Sequence, residues 1–238
     1  MLLDFADLPL EHGLENSRGH ARLVSLVCGI DAAHLHARVH SANVERYAVA
    51  ISRRMGLDAR RIARVGRAAY LHDVGKAVVP EDILSKAGPL TQEEAGLVQL
   101  HSAVGATMLA SAGLRAEVPF VRAHHERFDG CGYPDGLAGE EIPIEARIIL
   151  VADSFEAMTS DRPYRRGMSV AEALEELQRC SGTQFDPLVV DVLVELIEDG
   201  GLVARPVVDP PQPLPLAAAA SCRRFPYGGR SRHAEVPV

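Results

Sequence analysis

The stretch Ala68-Ala69-Tyr70-Leu71-His72-Asp73-Val74-Gly75-Lys76 runs from an apolar segment straight into a histidine, an aspartate and a lysine. Just upstream, Ile62, Val65, Ala69 and Leu71 recur at helical spacing, so a helix is predicted that Gly75 stops. A charged carboxylate at the end of an apolar helix is costly unless it is paired or binds a metal. Imidazole beside carboxylate is the donor set for Mn, Fe, Zn and similar divalent ions.

The same residue types recur outward from that stretch, at His40, His101, His124-His125 and Asp153. Several stand at or near predicted helix ends, where side chains from different helices can converge in a bundle core. Any one histidine is more often a hydrogen-bonded core or surface residue than a ligand. Seven such residues together are a much rarer coincidence. Two metal ions ~3.5–4 Å apart, one carboxylate bridging, need about this many ligands. Of the 10 histidines, His12, His20, His34 and His233 fall outside the pattern.

Helical patterning accompanies these residues. Leu23, Leu26, Val27 and Ile30 suggest a helix over 22–39. Val44, Tyr47, Ala48, Ile51 and Met55 form an amphipathic stripe closed by Gly56. Thr91 with Glu94 reads as a capping box opening a helix that carries Leu97, Leu100, Val104 and Met108. Ser169 with Glu172 is a second box, and Asp186-Pro187 caps a helix over 187–198. The run 146–152 is long enough for a buried strand or a helix, and its neighbours favour a helix. Asp129 to Pro143 is rich in Gly and Pro and reads as a long loop. The expected fold class is therefore all-α.

Composition excludes several function classes. The 238 residues hold 25 Lys+Arg against 32 Asp+Glu, a net charge of −7, so the broad basic face of a nucleic-acid-polymer binder is absent. No apolar run approaches the ~18 residues of a membrane span, and no secretion signal opens the chain. Cys28, Cys131, Cys180 and Cys222 are far apart, which argues against a zinc ribbon or disulfide scaffold. A cytoplasmic protein is expected. Residues 1–20 read as a flexible lead-in, 21–204 as the domain and 205–238 as a disordered Pro/Ala-rich tail.

His72-Asp73-Val74-Gly75-Lys76 resembles the HD-x-G-K signature of the HD metal-dependent phosphohydrolases. His124-His125-Glu126-Arg127-Phe128-Asp129-Gly130-Cys131-Gly132-Tyr133-Pro134 follows, then Asp161-Arg162-Pro163-Tyr164-Arg165 and Gly182-Thr183-Gln184-Phe185-Asp186-Pro187. Over about residues 20–200 these resemble the HD-GYP family, the bacterial cyclic di-GMP phosphodiesterases. The resemblance implies an HD-domain helical bundle with the metal site in its core. It implies one divalent ion, Fe or Mn, on His40, His72, Asp73 and Asp153, and a second on Asp73, His101, His124 and His125. It implies hydrolysis of cyclic di-GMP to linear pGpG by metal-activated hydroxide, with Asp73 and Lys76 as catalytic residues. Arg162, Arg165, Gly132 and Tyr133 are the implied substrate contacts, although Tyr133 could equally be a loop anchor.

This chain departs from the family at three positions. Where some members hold a third metal with a Glu, His36 stands, so two metals and mostly pGpG as product, with little GMP, are expected. Glu156 replaces a frequent Asp and keeps the acid. Asn43 replaces a frequent Arg, a change expected to touch packing or a salt bridge and not the metals. Cys131 takes a variable loop position and reads as incidental.

Two alternatives stay open: an HD phosphohydrolase acting on another nucleotide or cyclic dinucleotide, and a non-catalytic regulator that binds cyclic di-GMP or docks on a diguanylate cyclase (GGDEF) protein. No sensor-sized region precedes residue 20. The chain therefore reads as a stand-alone domain, a fragment, or a domain regulated by a separate sensor or receiver protein. A homodimer through the first helix stays open as well.

Overall fold

The computed structural model describes residues 35–161 and 166–202, with side chains from Val39 onward. The lead-in, the part of the helix expected over 22–39 that precedes Leu35, the tail, Cys28, Cys222, the His36 side chain and the pair Arg162 and Arg165 lie outside the described residues.

Helix α1, Leu35–Arg54, is continuous through the boundary that the sequence pattern suggested near residue 40. Its end is set locally. Gly56, at φ +74°, lets the Gly56 and Leu57 N–H groups return to the Arg53 and Ser52 carbonyls at 3.0 and 3.1 Å. Asp58 then caps α2, Ala59–Leu71, by accepting from the Arg61 N–H. A 3₁₀ turn, Val74–Val78, and the short α3, Glu81–Leu84, lead to α4, Gln92–Ser111. Helix α5, Val118–Ala123, is followed by the long loop, which holds a 3₁₀ turn at Gly139–Glu141. Helix α6, Ile144–Thr159, precedes α7, Val170–Arg179, and α8, Pro187–Glu198. Among the described residues there is no strand, only an isolated bridge from Ser181 to Phe185. The all-α expectation holds.

The run 146–152 is the centre of α6. Its apolar residues are buried on every side because α1, α5, α7 and α8 surround the helix. Tyr47 of α1 meets Phe155 of α6 edge to face, with ring centroids 5.2 Å apart. The capping boxes Thr91/Glu94 and Ser169/Glu172 and the Asp186 cap form as the sequence predicts. Arg147 of α6 also reaches the Asp186 carboxylate at 2.5 Å, which ties α6 to the start of α8.

Helix α4 turns a different face inward from the one its leucines suggest. Leu97 and Leu100 are 44% and 53% exposed, while Val98, His101, Ser102, Gly105, Ala106 and Leu109 are buried. The cause is the close approach of the turn that follows His72-Asp73. A Cβ built on Gly75 would lie 2.0 Å from the His101 carbonyl oxygen and 2.7 Å from the Gly105 nitrogen. Only small residues permit that contact, and it brings Asp73 against His101.

Gly75→Ala is therefore expected to lower stability by about 2 kcal/mol or more through overpacking against backbone. Gly56→Ala meets nothing within 4 Å and is expected to cost only about 1 kcal/mol through its positive φ. Denaturant midpoints of the two variants check the order; equal losses would contradict it.

Candidate metal centre

Five elements deliver seven side chains to one place. His40 comes from α1, and His72 and Asp73 from the end of α2. His101 lies on α4, His124 and His125 at the end of α5, and Asp153 in the middle of α6. Donor atoms of Asp73, His101, His124 and His125 lie within 4.8 Å of one another, and so do those of His40, His72 and Asp73. Asp73 belongs to both groups. Asp153 Oδ1 completes the second, 3.2 Å from His40 Nε2 and 3.9 Å from His72 Nε2. All seven residues singled out from the sequence are thus brought together, with Asp153 beside the His40 and His72 rings.

Ring orientation follows from a repeated local contact. His72, His101 and His124 each give Nδ1–H to the carbonyl three residues earlier, on Ala69, Val98 and Val121, at 2.7, 2.6 and 2.6 Å. A carbonyl can only accept, so Nδ1 carries the proton and Nε2 keeps its lone pair, aimed inward. For His72 and His124 the contact also satisfies carbonyls in the last turns of α2 and α5. His40 uses a carboxylate instead: its Nδ1 donates to Glu156 Oε2 at 2.5 Å.

Burial pushes the His101 and His124 pKa values down to about 4 and about 3, and His125 well below its usual range. These rings are neutral near pH 7. Burial also lowers His40, but hydrogen bonds that it donates to the Asp153 and Glu156 carboxylates carry it up to about 10. Desolvation works against the charge on Asp73 and Asp153, yet the neighbouring cations win and hold both carboxyls well below their ordinary values. Lys76 is the nearest of these cations, with Nζ 2.6 Å from Asp73 Oδ2.

The donor set fits divalent cations on two observations. His72 Nε2 and Asp73 Oδ1 are buried with no hydrogen-bond partner, an expensive condition in a protein core. His101 Nε2 and His124 Nε2 face each other at 3.2 Å. Both rings have already given Nδ1–H to carbonyls, so the facing nitrogens are two lone pairs. A shared cation satisfies that arrangement, whereas a hydrogen bond between neutral rings does not.

The residues around the candidate ligands are informative too. Glu156 is buried and held by Asn43 Nδ2 at 3.4 Å and by the Ser160 hydroxyl at 2.6 Å. Asn43 therefore acts one step from His40, closer to the centre than the sequence suggested. The Tyr133 ring stacks on His125, with centroids 4.9 Å apart and planes 29° apart. Gly132 has a steric reason to be glycine: a Cβ there would lie 2.3 Å from the Arg127 nitrogen and 2.6 Å from the His125 carbonyl oxygen. Sequence reasoning gave Glu126 no role. It is buried, and its carboxylate accepts N–H groups from Asp135, Gly136 and Leu137. Its place directly after the His124-His125 pair is the only signal the sequence offers. Cys131 is exposed at the loop surface.

A family model described as HD domain matches residues 24–189. Over 177 residues the chain is 37% identical to the cyclic di-GMP phosphodiesterase response regulator RpfG of Xanthomonas campestris pv. campestris, covering 73% of this chain and 45% of that protein. It is 39% identical over 160 residues to the 3'3'-cGAMP-specific phosphodiesterase 3 of Vibrio cholerae, covering 66% of this chain and 35% of that protein. The chain thus spans less than half the length of these two relatives. Among solved structures, Bd1817, a HDG"Y"P protein from Bdellovibrio bacteriovorus, aligns with a TM-score of 0.57 at 16% identity, over 77% of this chain and 62% of that one. At that identity the likeness concerns the fold alone.

The His40–Glu156 pair carries a prediction. Carboxylates that orient a metal-bound imidazole typically contribute 10–100-fold in affinity. Glu156→Ala is expected to weaken Mn²⁺ binding by about that factor while helical content by circular dichroism stays unchanged. Competition against a chromophoric chelator measures it; wild-type affinity in the variant would show that Glu156 does not orient His40.

Proposed function

This chain belongs to the HD domain family, and on that footing we propose that it is a metal-dependent phosphodiesterase that opens cyclic di-GMP to linear pGpG. The observation that supports this best is the pair of donor groups sharing Asp73, with inward Nε2 lone pairs on the neutral His101 and His124 rings. The names of relatives such as RpfG, and the stretch from His124 to Pro134, favour a cyclic dinucleotide as substrate.

Two divalent ions, Fe or Mn, would be held by His40, His72, Asp73 and Asp153 and by Asp73, His101, His124 and His125. Bound there, they would bring the pKa of a coordinated water near 7 and neutralise phosphodiester charge. Asp73, shared by both groups, keeps the two halves in register. The Lys76 ammonium, beside Asp73 and 28% exposed, would steady a phosphate oxygen or the departing 3′ oxygen. Arg162 and Arg165 are assigned to phosphate and guanine, for which the guanidinium supplies bidentate hydrogen bonds and stacking. His36 in place of a third acidic ligand favours two ions and pGpG as the main product. No described helix is long and apolar enough to cross a membrane. A diguanylate cyclase or a separate sensor protein is the proposed class of regulator.

The test is an anaerobic assay with Mn²⁺ or Fe²⁺, offering cyclic di-GMP and 3'3'-cGAMP side by side and resolving products by chromatography. Turnover of cyclic di-GMP to pGpG is expected, and Asp73→Asn should reduce it by at least about a thousandfold, because several kcal/mol of charge stabilisation are lost. Preference for 3'3'-cGAMP, as the Vibrio cholerae relative's name describes for that protein, would overturn the substrate. Tight nucleotide binding without turnover would overturn the enzyme in favour of a binding regulator.

A further inference from the structure

The long loop returns to the metal centre through three fastenings. Glu126, 1% exposed, accepts the Asp135 and Gly136 N–H groups on Oε1 at 2.6 and 3.1 Å, and the Leu137 N–H on Oε2 at 3.1 Å. Arg122 of α5 grips the Asp135 carboxylate with two bonds of 2.7 Å. The Tyr133 N–H donates to the His125 carbonyl at 3.3 Å, with Gly132 pressed so closely on residues 125–127 that no side chain fits there.

These fastenings fix where the Tyr133 ring lies. It covers the face of His125 and meets His101 edge-on, with centroids 6.4 Å apart. Its hydroxyl oxygen is buried, so the ring's polar end does not face an open cavity. His125, at 9% exposure, is the most accessible of the four buried histidines of the centre. It therefore gains most from a wall that restricts its rotation.

We propose that Tyr133 is a positioning residue for His125, and that Glu126 is the clamp that holds Tyr133 in place. The loop would then determine how well the Asp73, His101, His124 and His125 group holds its ion. It would do so by stacking, not by touching the substrate. This inference rests on the two-metal reading of the site. It departs from that reading on Tyr133, which the family resemblance offered as a substrate contact.

The experiment compares Tyr133→Phe, Tyr133→Ala, Glu126→Gln and His125→Ala in the full chain. Metal per chain is measured at limiting Mn²⁺, and the visible spectrum of Co²⁺-loaded protein is recorded, both without nucleotide. Tyr133→Ala is expected to weaken one of two Mn²⁺ sites by about 10–100-fold and to alter the Co²⁺ spectrum in the direction of His125→Ala. Tyr133→Phe, which keeps the ring, should restore wild-type values. Glu126→Gln should fall between them, because the amide retains one acceptor oxygen for three N–H groups. Wild-type stoichiometry, affinity and Co²⁺ spectrum in Tyr133→Ala would overturn the proposal, most clearly if the KM for a cyclic dinucleotide rose at unchanged metal content. A Tyr133→Phe variant as defective as Tyr133→Ala would overturn it too, since the hydroxyl would then be the working group. The metal readouts involve no nucleotide, so failure of this inference and failure of the hydrolytic reading are separate results.

Discussion

Asp73 carries a full negative charge at the junction of three helices, and the surrounding fold is arranged to make that tolerable. The carboxylate follows an apolar helix and is sheltered by α4 and α6. Desolvation alone would protonate it, but the Lys76 ammonium, with the charged His40 behind it, outweighs that cost. Lys76 reaches it only because the chain turns into a 3₁₀ segment directly after Asp73. That turn reaches α4 because Gly75 has no side chain, and Gly105 leaves little room on the facing side. One half-buried charge thus fixes a turn, a glycine and the face that α4 presents to the core.

The same constraint explains the histidines. An imidazole can serve as proton donor or lone-pair donor, and the backbone decides which. By giving Nδ1–H to a carbonyl three residues back, His72, His101 and His124 convert a helical spacing into an inward-facing lone pair. Two of these carbonyls lie in the closing turns of α2 and α5, where such groups otherwise lack partners. The termination of α2 and α5 at His72 and His124 is therefore part of how the centre is built. Ordinary capping needs and the need to aim a ligand are met by the same bond.

Legibility in the sequence divides along the same line between local and distant causes. Thr91 with Glu94, Ser169 with Glu172, and Asp186 before Pro187 act on their own helix starts, and their positions can be read directly. The seven candidate ligands stood out because imidazoles and carboxylates next to apolar segments demand an explanation. The inward face of α4 was not legible, since Leu97 and Leu100 lose to Val98 and His101 only when Gly75 docks from another element. Asn43 and Glu156 are more than 100 residues apart, and nothing in either neighbourhood announces their contact. Glu126 is similar: a carboxylate that binds only backbone N–H groups leaves no complementary residue type for a sequence pattern to show.

An anionic substrate for a chain of net charge −7 is not a contradiction, and the donor set shows why. Charges on the outer helices are screened beyond about 8–10 Å at physiological ionic strength, so the local balance governs. Of the seven candidate ligands, five are imidazoles and two are carboxylates. A pair of divalent ions held this way would keep half of its positive charge, where an all-carboxylate cage would cancel it. Lys76 adds one more positive charge at the partly exposed edge. Glu156 sits behind His40, with its own charge directed at the imidazole and the Ser160 hydroxyl. With such ions bound, the centre would present a net positive face to the proposed phosphodiester, and the acidic residues elsewhere on the surface would have little influence on it.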